Sequence, residues 1–149
     1  MKRPAGLILA VMLLLLLQER LAEAQQKIFL QADVIFASHE PGGIDQSIGP
    51  LAEELRKIFG YSNYQLLTRL TGDVVLQDSW RGDLPGGFIL MVIPREVRDS
   101  FISLDAWILQ GRVLFLRTTI RLRNTGVILL GGPPYSVGVL IVALSAKVE

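Results

Sequence analysis

The chain has 149 residues, half of them hydrophobic, with 15 basic and 14 acidic side chains, one histidine and no cysteine. The missing cysteine excludes a disulfide framework, a Cys-ligated zinc site, a thiol nucleophile and a lipid-modified N-terminal cysteine. A nearly balanced charge gives no broad field that would gather nucleic acid, so no nucleic acid is expected as a partner.

Chain order begins with Lys2 and Arg3, an uninterrupted apolar run from Gly6 to Leu17, a polar stretch Gln18-Glu19-Arg20, and the small-residue pattern Ala22-Glu23-Ala24. That order is the grammar of an export signal, with cleavage expected after Ala24. As a helix the twelve-residue run rises about 18 Å, against about 30 Å of bilayer hydrocarbon. No permanent membrane span is therefore expected after cleavage; a retained N-terminal anchor is the rival reading. The expected organisation is a cleaved signal over 1–24 and a single globular β-rich domain over 25–149, periplasmic or secreted. Taking Lys2, Arg3 and Arg20 from the basic side chains and Glu19 and Glu23 from the acidic ones leaves the two signs equal. Roughly 125 residues suffice for a core without metal or disulfide staples.

From Lys27 onward, short apolar runs alternate with Gly, Pro and Asp clusters, the pattern of strands and turns. In 28–37, Ile28, Leu30, Ala32, Val34 and Phe36 share one face while Gln31 and Asp33 lie on the other, which predicts a half-buried strand. The loop Ser38–Gly43 ends it. A helix is predicted next. Pro50 suits its first turn, Glu53 and Glu54 favour its N-terminal end, and Arg56 and Lys57 its C-terminal end. Leu51, Leu55, Ile58 and Phe59 make one apolar stripe, and Gly60 offers a left-handed stop. Strands are predicted at 64–70, 74–76, 88–93, 101–109, 112–123, 127–130 and 139–144, with 101–109 and 112–123 forming a hairpin at Gln110-Gly111. The last run is apolar on both faces and needs cover on both sides.

His39 is the one histidine, and Ser38-His39-Glu40, with Asp33 and Asp45 nearby in sequence, suggests a Ser/His/Asp arrangement or a metal site; no nucleophile elbow or other catalytic signature accompanies it. A metal site would have to be built from one histidine and carboxylates, which is not a zinc-ligand pattern, and no spaced run of oxygen ligands suggests calcium. No metal and no cofactor are expected. Arg81-Gly82-Asp83 matches an adhesion tripeptide and, followed by Leu84-Pro85-Gly86-Gly87, reads as an exposed turn. Gly86-Gly87 and Gly131-Gly132-Pro133-Pro134 also read as turns, and neither precedes a helix as a phosphate loop would. In 112–123, alternation turns Leu114, Leu116, Ile120 and Leu122 inward and lines the other face with Arg117, Thr119, Arg121 and Arg123. Trp107 and Asp105 fall on the matching face of the neighbouring strand. This is either a basic, aromatic-bearing surface for an anionic partner or a solvated face whose arginines pair with Asp105 and other carboxylates.

The segments Pro50–Phe59, Tyr61-Ser62-Asn63-Tyr64-Gln65-Leu66-Leu67, Leu84-Pro85-Gly86-Gly87, Gly131-Gly132-Pro133 and Gly138–Leu144 together resemble a family of small exported bacterial proteins with no established activity. Separately, Asn124–Gly132 is similar to the glycine-bounded strand near the end of secretin outer-membrane channel domains. That second resemblance covers nine residues of turn-strand-turn and implies at most a secretion-related envelope setting.

The expected fold is mainly β (α+β), one antiparallel sandwich-like domain of about seven strands with one packed helix after the first strand. The expected function is non-catalytic, an exported interaction domain that binds an envelope protein or anionic polymer through Arg117, Arg121, Arg123 and Trp107. The alternative is a small hydrolase or ligand-binding protein that uses Ser38, His39 and Asp45.

Overall fold

A computed structural model describes residues 4–24 and 26–149. Lys2, Arg3 and Gln25, on which the expected signal and its cleavage point partly rest, lie outside the described residues. Helix α1 (Ala5–Ala24) carries exposed side chains from Ala5 to Gln18. Among the described residues no helix is long and apolar enough to cross a membrane.

The rest is mainly β. In chain order it runs β1 (Lys27–Ser38), β2 (Gly43–Ile44), a 3₁₀ turn (Gln46–Ile48), α2 (Leu51–Ile58), β3 (Asn63–Val75), β4 (Trp80–Leu84), a short Pro85–Gly87 turn, β5 (Phe88–Arg98), β6 (Phe101–Gln110), β7 (Val113–Arg123), β8 (Val127–Tyr135) and β9 (Gly138–Val148). One sheet has the order β2-β3-β1-β9-β8, the other β4-β5-β6-β7. Every pairing is antiparallel except the two-residue contact of β2 with β3. Together they make the expected sandwich with a helix docked after the first strand. The eight predicted runs become nine strands because 64–70 and 74–76 fuse into β3 while β2 and β4 are added. Neither addition carries a readable apolar alternation.

Two layers of apolar side chains hold the fold. Between the sheets, Ile28, Leu30, Ala32 and Val34 of β1 and Leu140, Val142 and Leu144 of β9 meet Leu90, Val92, Ile102, Leu104 and Ile108 of β5 and β6. On the far side of the first sheet, Leu55 of α2 covers Ile35, Ala37, Tyr64, Ile141 and Ala143. Hence β9 is apolar on both faces: its even positions enter the sandwich and its odd ones lie under α2.

The same two-sided cover corrects the reading of β1. Ile28, Leu30, Ala32 and Val34 point inward as expected and Phe36 is only half-buried, but the opposite face is not solvated: Ile35 and Ala37 are fully buried and Asp33 is 5% exposed. Arg69 on β3, directly opposite in register, closes over Asp33 with two bonds of 2.7 and 3.0 Å. A fork matched to a carboxylate is what lets that charge sit under cover.

Pro50 precedes α2 as its N-cap residue, and the helix has Glu53 and Glu54 in its first turn and Arg56 and Lys57 in its last, as its polarity requires. Two details differ from expectation. Ile58 is 60% exposed, because an eight-residue helix presents only Leu55 squarely to the sheet. Gly60 does not take a positive φ; Phe59 turns out into extended backbone instead. The C-terminal carbonyls are met by a tertiary partner: the Tyr64 hydroxyl lies 2.7 Å from the Phe59 carbonyl and 3.2 Å from that of Leu55.

Three further expectations change. Arg81-Gly82-Asp83 lies in β4, not in a turn, and Gly82 sits against Leu70 and the Trp80 ring where a Cβ would collide. Gly131-Gly132-Pro133-Pro134 belongs to edge strand β8, where a register shift accommodates it and prolines remove no ladder bond. In β7 a bulge opposite Ile108/Leu109 reverses the alternation, so Leu114 pairs with Leu109, faces outward and is 48% exposed.

Candidate functional site

The outer face of the β4–β7 sheet holds the arginine set. Beyond the bulge, β7 alternates regularly: Ile120 and Leu122 are buried, while Arg117, Thr119, Arg121 and Arg123 are exposed. Register with β6 sets Arg117 opposite Trp107, Thr119 opposite Asp105, Arg121 opposite Ser103 and Arg123 opposite Phe101. Phe101 and Trp107 were free to stand on this face because their neighbours Ile102, Ala106 and Ile108 fill the inner one.

The contacts within this face decide its chemistry. Asp105, the carboxylate that sequence pairs with the arginines, is held from the other side. Arg95 Nε donates to its Oδ2 at 2.8 Å, and Thr119 Oγ1 donates to its Oδ1 at 3.0 Å. The Arg95 hydrogen bond, above all, keeps the Asp105 carboxyl below the usual carboxylate range, with Thr119 and the charges of Arg95 and Arg117 adding to it against partial desolvation. Arg95 is the bulged residue of β5, between Pro94 and Glu96, and so leans toward Asp105.

Arg117, Arg121 and Arg123 make no ion pair within 4.0 Å among the described residues. They lie over rings instead. The Arg117 guanidinium is 5.0 Å from the Trp107 ring centroid; those of Arg121 and Arg123 are 4.5 and 5.6 Å from that of Phe101. Such contacts are worth about 0.5–1 kcal/mol at exposed sites. The N–H donors of these three guanidinium groups make no hydrogen bond among the described residues. Beside Arg121 a cleft of about 270 Å³ opens, lined by Glu96, Arg98, Asp99, Phe101, Ser103 and Arg121. Beneath Arg117, the Trp107 Nε1–H is buried without a hydrogen-bond partner among the described residues.

The second predicted group is arranged differently. Ser38 is fully buried at the end of β1, and its hydroxyl accepts from Asn63 Nδ2 at 3.2 Å. Asp45 caps the 3₁₀ turn, accepting from the Ser47 amide at 2.9 Å and the Leu66 amide at 3.1 Å. The Ser47 amide bond above all holds its carboxyl below the usual range. His39 is exposed and leans on the Tyr61 ring, 4.8 Å between centroids. Among the described residues no hydrogen bond joins Ser38, His39 and Asp45 to one another, and no group of three His, Asp or Glu side chains could hold a metal ion.

Sequence reasoning missed one surface. At an end of the sandwich, Phe88, Phe115, Pro134 and Tyr135 line an open cleft of about 460 Å³ with Gly86 and Gln110. Phe115 enters it because of the β7 bulge, which no local pattern announces.

Comparison with known proteins returns nothing: no family model matches the chain, and no similar curated protein or solved structure is found.

Proposed function

We propose that this chain is an exported, non-catalytic interaction domain that binds an anionic partner of the cell envelope, protein or polymer, on the outer face of the β4–β7 sheet. The observation that carries the reading is the state of Arg117, Arg121 and Arg123, which rest on Trp107 and Phe101 with no ion pair within 4.0 Å among the described residues. A guanidinium lying on a ring is already partly ordered and keeps its fork of donors for a carboxylate or phosphate. A strand places these side chains roughly 7 Å apart at neighbouring positions and about 14 Å from Arg117 to Arg121, a ladder for an extended anion. With the two signs equal from residue 25 onward, attraction must be local, and salt should weaken it over a Debye length of about 8 Å. Export rests on the apolar run and small-residue pattern of 6–24, with a mature start at Gln25.

Fluorescence anisotropy with labelled polyglutamate and labelled polyphosphate tests the surface. The exported domain should bind at least one of them at low salt and release it as salt rises. Arg117→Glu with Arg121→Glu should abolish binding without changing the circular dichroism, and His39→Ala should leave it intact. Unchanged binding after the double reversal, or loss on His39→Ala, would contradict the proposal.

A further inference from the structure

We infer that the partner is a polypeptide, taken up as an added antiparallel strand on the free edge of β7 with acidic side chains facing Arg117, Arg121 and Arg123. This rests on the arginine-face reading and narrows it from any anion to one class of macromolecule.

The edge is defined by topology. β7 ends the second sheet, and β6 occupies only one of its sides. Which backbone groups point outward follows from one bond. The Asn124 amide donates to the Ser100 carbonyl at 2.7 Å, and these residues continue the register in which Phe101 opposes Arg123. Ser100 and Asn124 are therefore a hydrogen-bonded pair, and antiparallel pairs alternate. Ile102/Leu122, Leu104/Ile120 and Ala106/Thr118 are then hydrogen-bonded pairs, while Phe101/Arg123, Ser103/Arg121, Asp105/Thr119 and Trp107/Arg117 are not. In the second set the β7 residues aim their N–H and C=O away from β6. So Arg117, Thr119 and Arg121 each present two things at one edge: a side chain on the outer face and an open pair of backbone groups; Arg123 offers its N–H alone, because its carbonyl accepts from the Gly126 amide at 2.7 Å. The shorter separation of such pairs, about 4.5 Å between Cα atoms, also brings Arg117 over Trp107 and Arg123 over Phe101, while Arg121, opposite Ser103, reaches Phe101 diagonally.

The other edges lack this combination. β8 carries Pro133 and Pro134, β4 is five residues long, and the arginine of β3, Arg69, is committed to Asp33. A second copy of β7 is disfavoured at this edge, because antiparallel self-pairing about Thr119 would set Arg117 against Arg121. Charged edges of this kind block self-association and leave strand addition to a partner of opposite charge. A polymer without amides can answer the arginines but not the open N–H and C=O groups. Charge complementarity and backbone complementarity together select a strand with acidic residues at alternate positions.

The test uses the folded domain with three probes: a peptide of sequence Glu-Val-Glu-Val-Thr-Val-Glu with capped ends, the same peptide N-methylated at its three glutamates, and polyphosphate. Amide hydrogen exchange by NMR is read at β7. In the free protein the amides of Arg117, Thr119, Arg121 and Arg123 should exchange fast and those of Thr118, Ile120 and Leu122 slowly. The peptide should slow the fast set, and N-methylation should weaken its binding by about tenfold or more. If both peptides bind equally and the fast amides stay fast, strand addition is wrong while the charged face stands. If polyphosphate binds and neither peptide does, the partner is a polymer and the inference fails alone. If no probe binds, both readings fail together.

Discussion

Replacing Leu55 with alanine tests how α2 is held to the sheet. Leu55 is the one α2 side chain with no solvent exposure, and it seals Ile35, Tyr64, Ile141 and Ala143 beneath it. Eight residues are too few for a helix to persist without such an anchor. Removing a buried leucine costs about 2–5 kcal/mol, and the place within that range depends on how far the surroundings close the cavity. A lone helix can settle onto the sheet, so Leu55→Ala should cost about 2–3 kcal/mol, in the lower half of the range. Leu104, equally buried, lies between two hydrogen-bonded sheets that cannot close inward. Leu104→Ala should therefore cost about 3–5 kcal/mol. Ile58 sits on the same apolar stripe in sequence but is exposed, and Ile58→Ala should cost less than about 1 kcal/mol. Urea titration of the three variants, monitored by circular dichroism, measures the order. Equal losses for Leu55→Ala and Ile58→Ala would refute the orientation of α2, and a Leu55 loss above that of Leu104 would refute the cavity argument.

Three other outcomes follow from single contacts. Arg69→Met removes the cation that covers Asp33, and should cost about 1–3 kcal/mol, moderated because Arg69 is half exposed; no loss in urea titration would mean that solvent replaces the guanidinium. Tyr64→Phe deletes the hydroxyl that meets the Leu55 and Phe59 carbonyls and should cost about 1–2 kcal/mol with an unchanged fold; a null effect would show that those carbonyls find water. Asp45 and Asp105 have carboxyls held below the usual range. Each contributes stability that is complete above an ordinary carboxylate pKa of about 4 and lost as pH falls through its lowered folded value. The urea midpoint should drop between pH 5 and pH 2 (about the range over which such carboxylates protonate), and Asp45→Asn with Asp105→Asn should reduce that drop.

The alternation of apolar residues was enough to place most strands, the sandwich and α2, because each buried face repeats every second or fourth residue. It was not enough where tertiary cover overrides local pattern. The solvated look of Gln31 and Asp33 concealed a face that α2 and Arg69 close off, and the apolar Ile58 proved to be exposed. Bulges were equally invisible: one inserted residue in β7 turns Leu114 outward and Phe115 toward the end cleft. Strand β4 escaped notice because Arg81-Gly82-Asp83 is turn-like in composition, while its register with β5 is what makes it a strand. The arginine face was legible as far as which side chains share it. What they touch was not, since the bulge at Arg95 that captures Asp105, and so leaves the rings to the arginines, depends on β5.

The central claim is that the Arg117–Arg123 face, not the Ser38–Asp45 loop, is where this protein meets its partner. The most direct measurement is a two-dimensional NMR titration of the domain with polyglutamate at low salt. The largest shifts should fall on Phe101, the Trp107 indole and the β7 residues from Arg117 to Arg123, and should collapse on adding salt. Shifts centred on Ser38, His39 and Asp45, with β7 unmoved, would contradict the account.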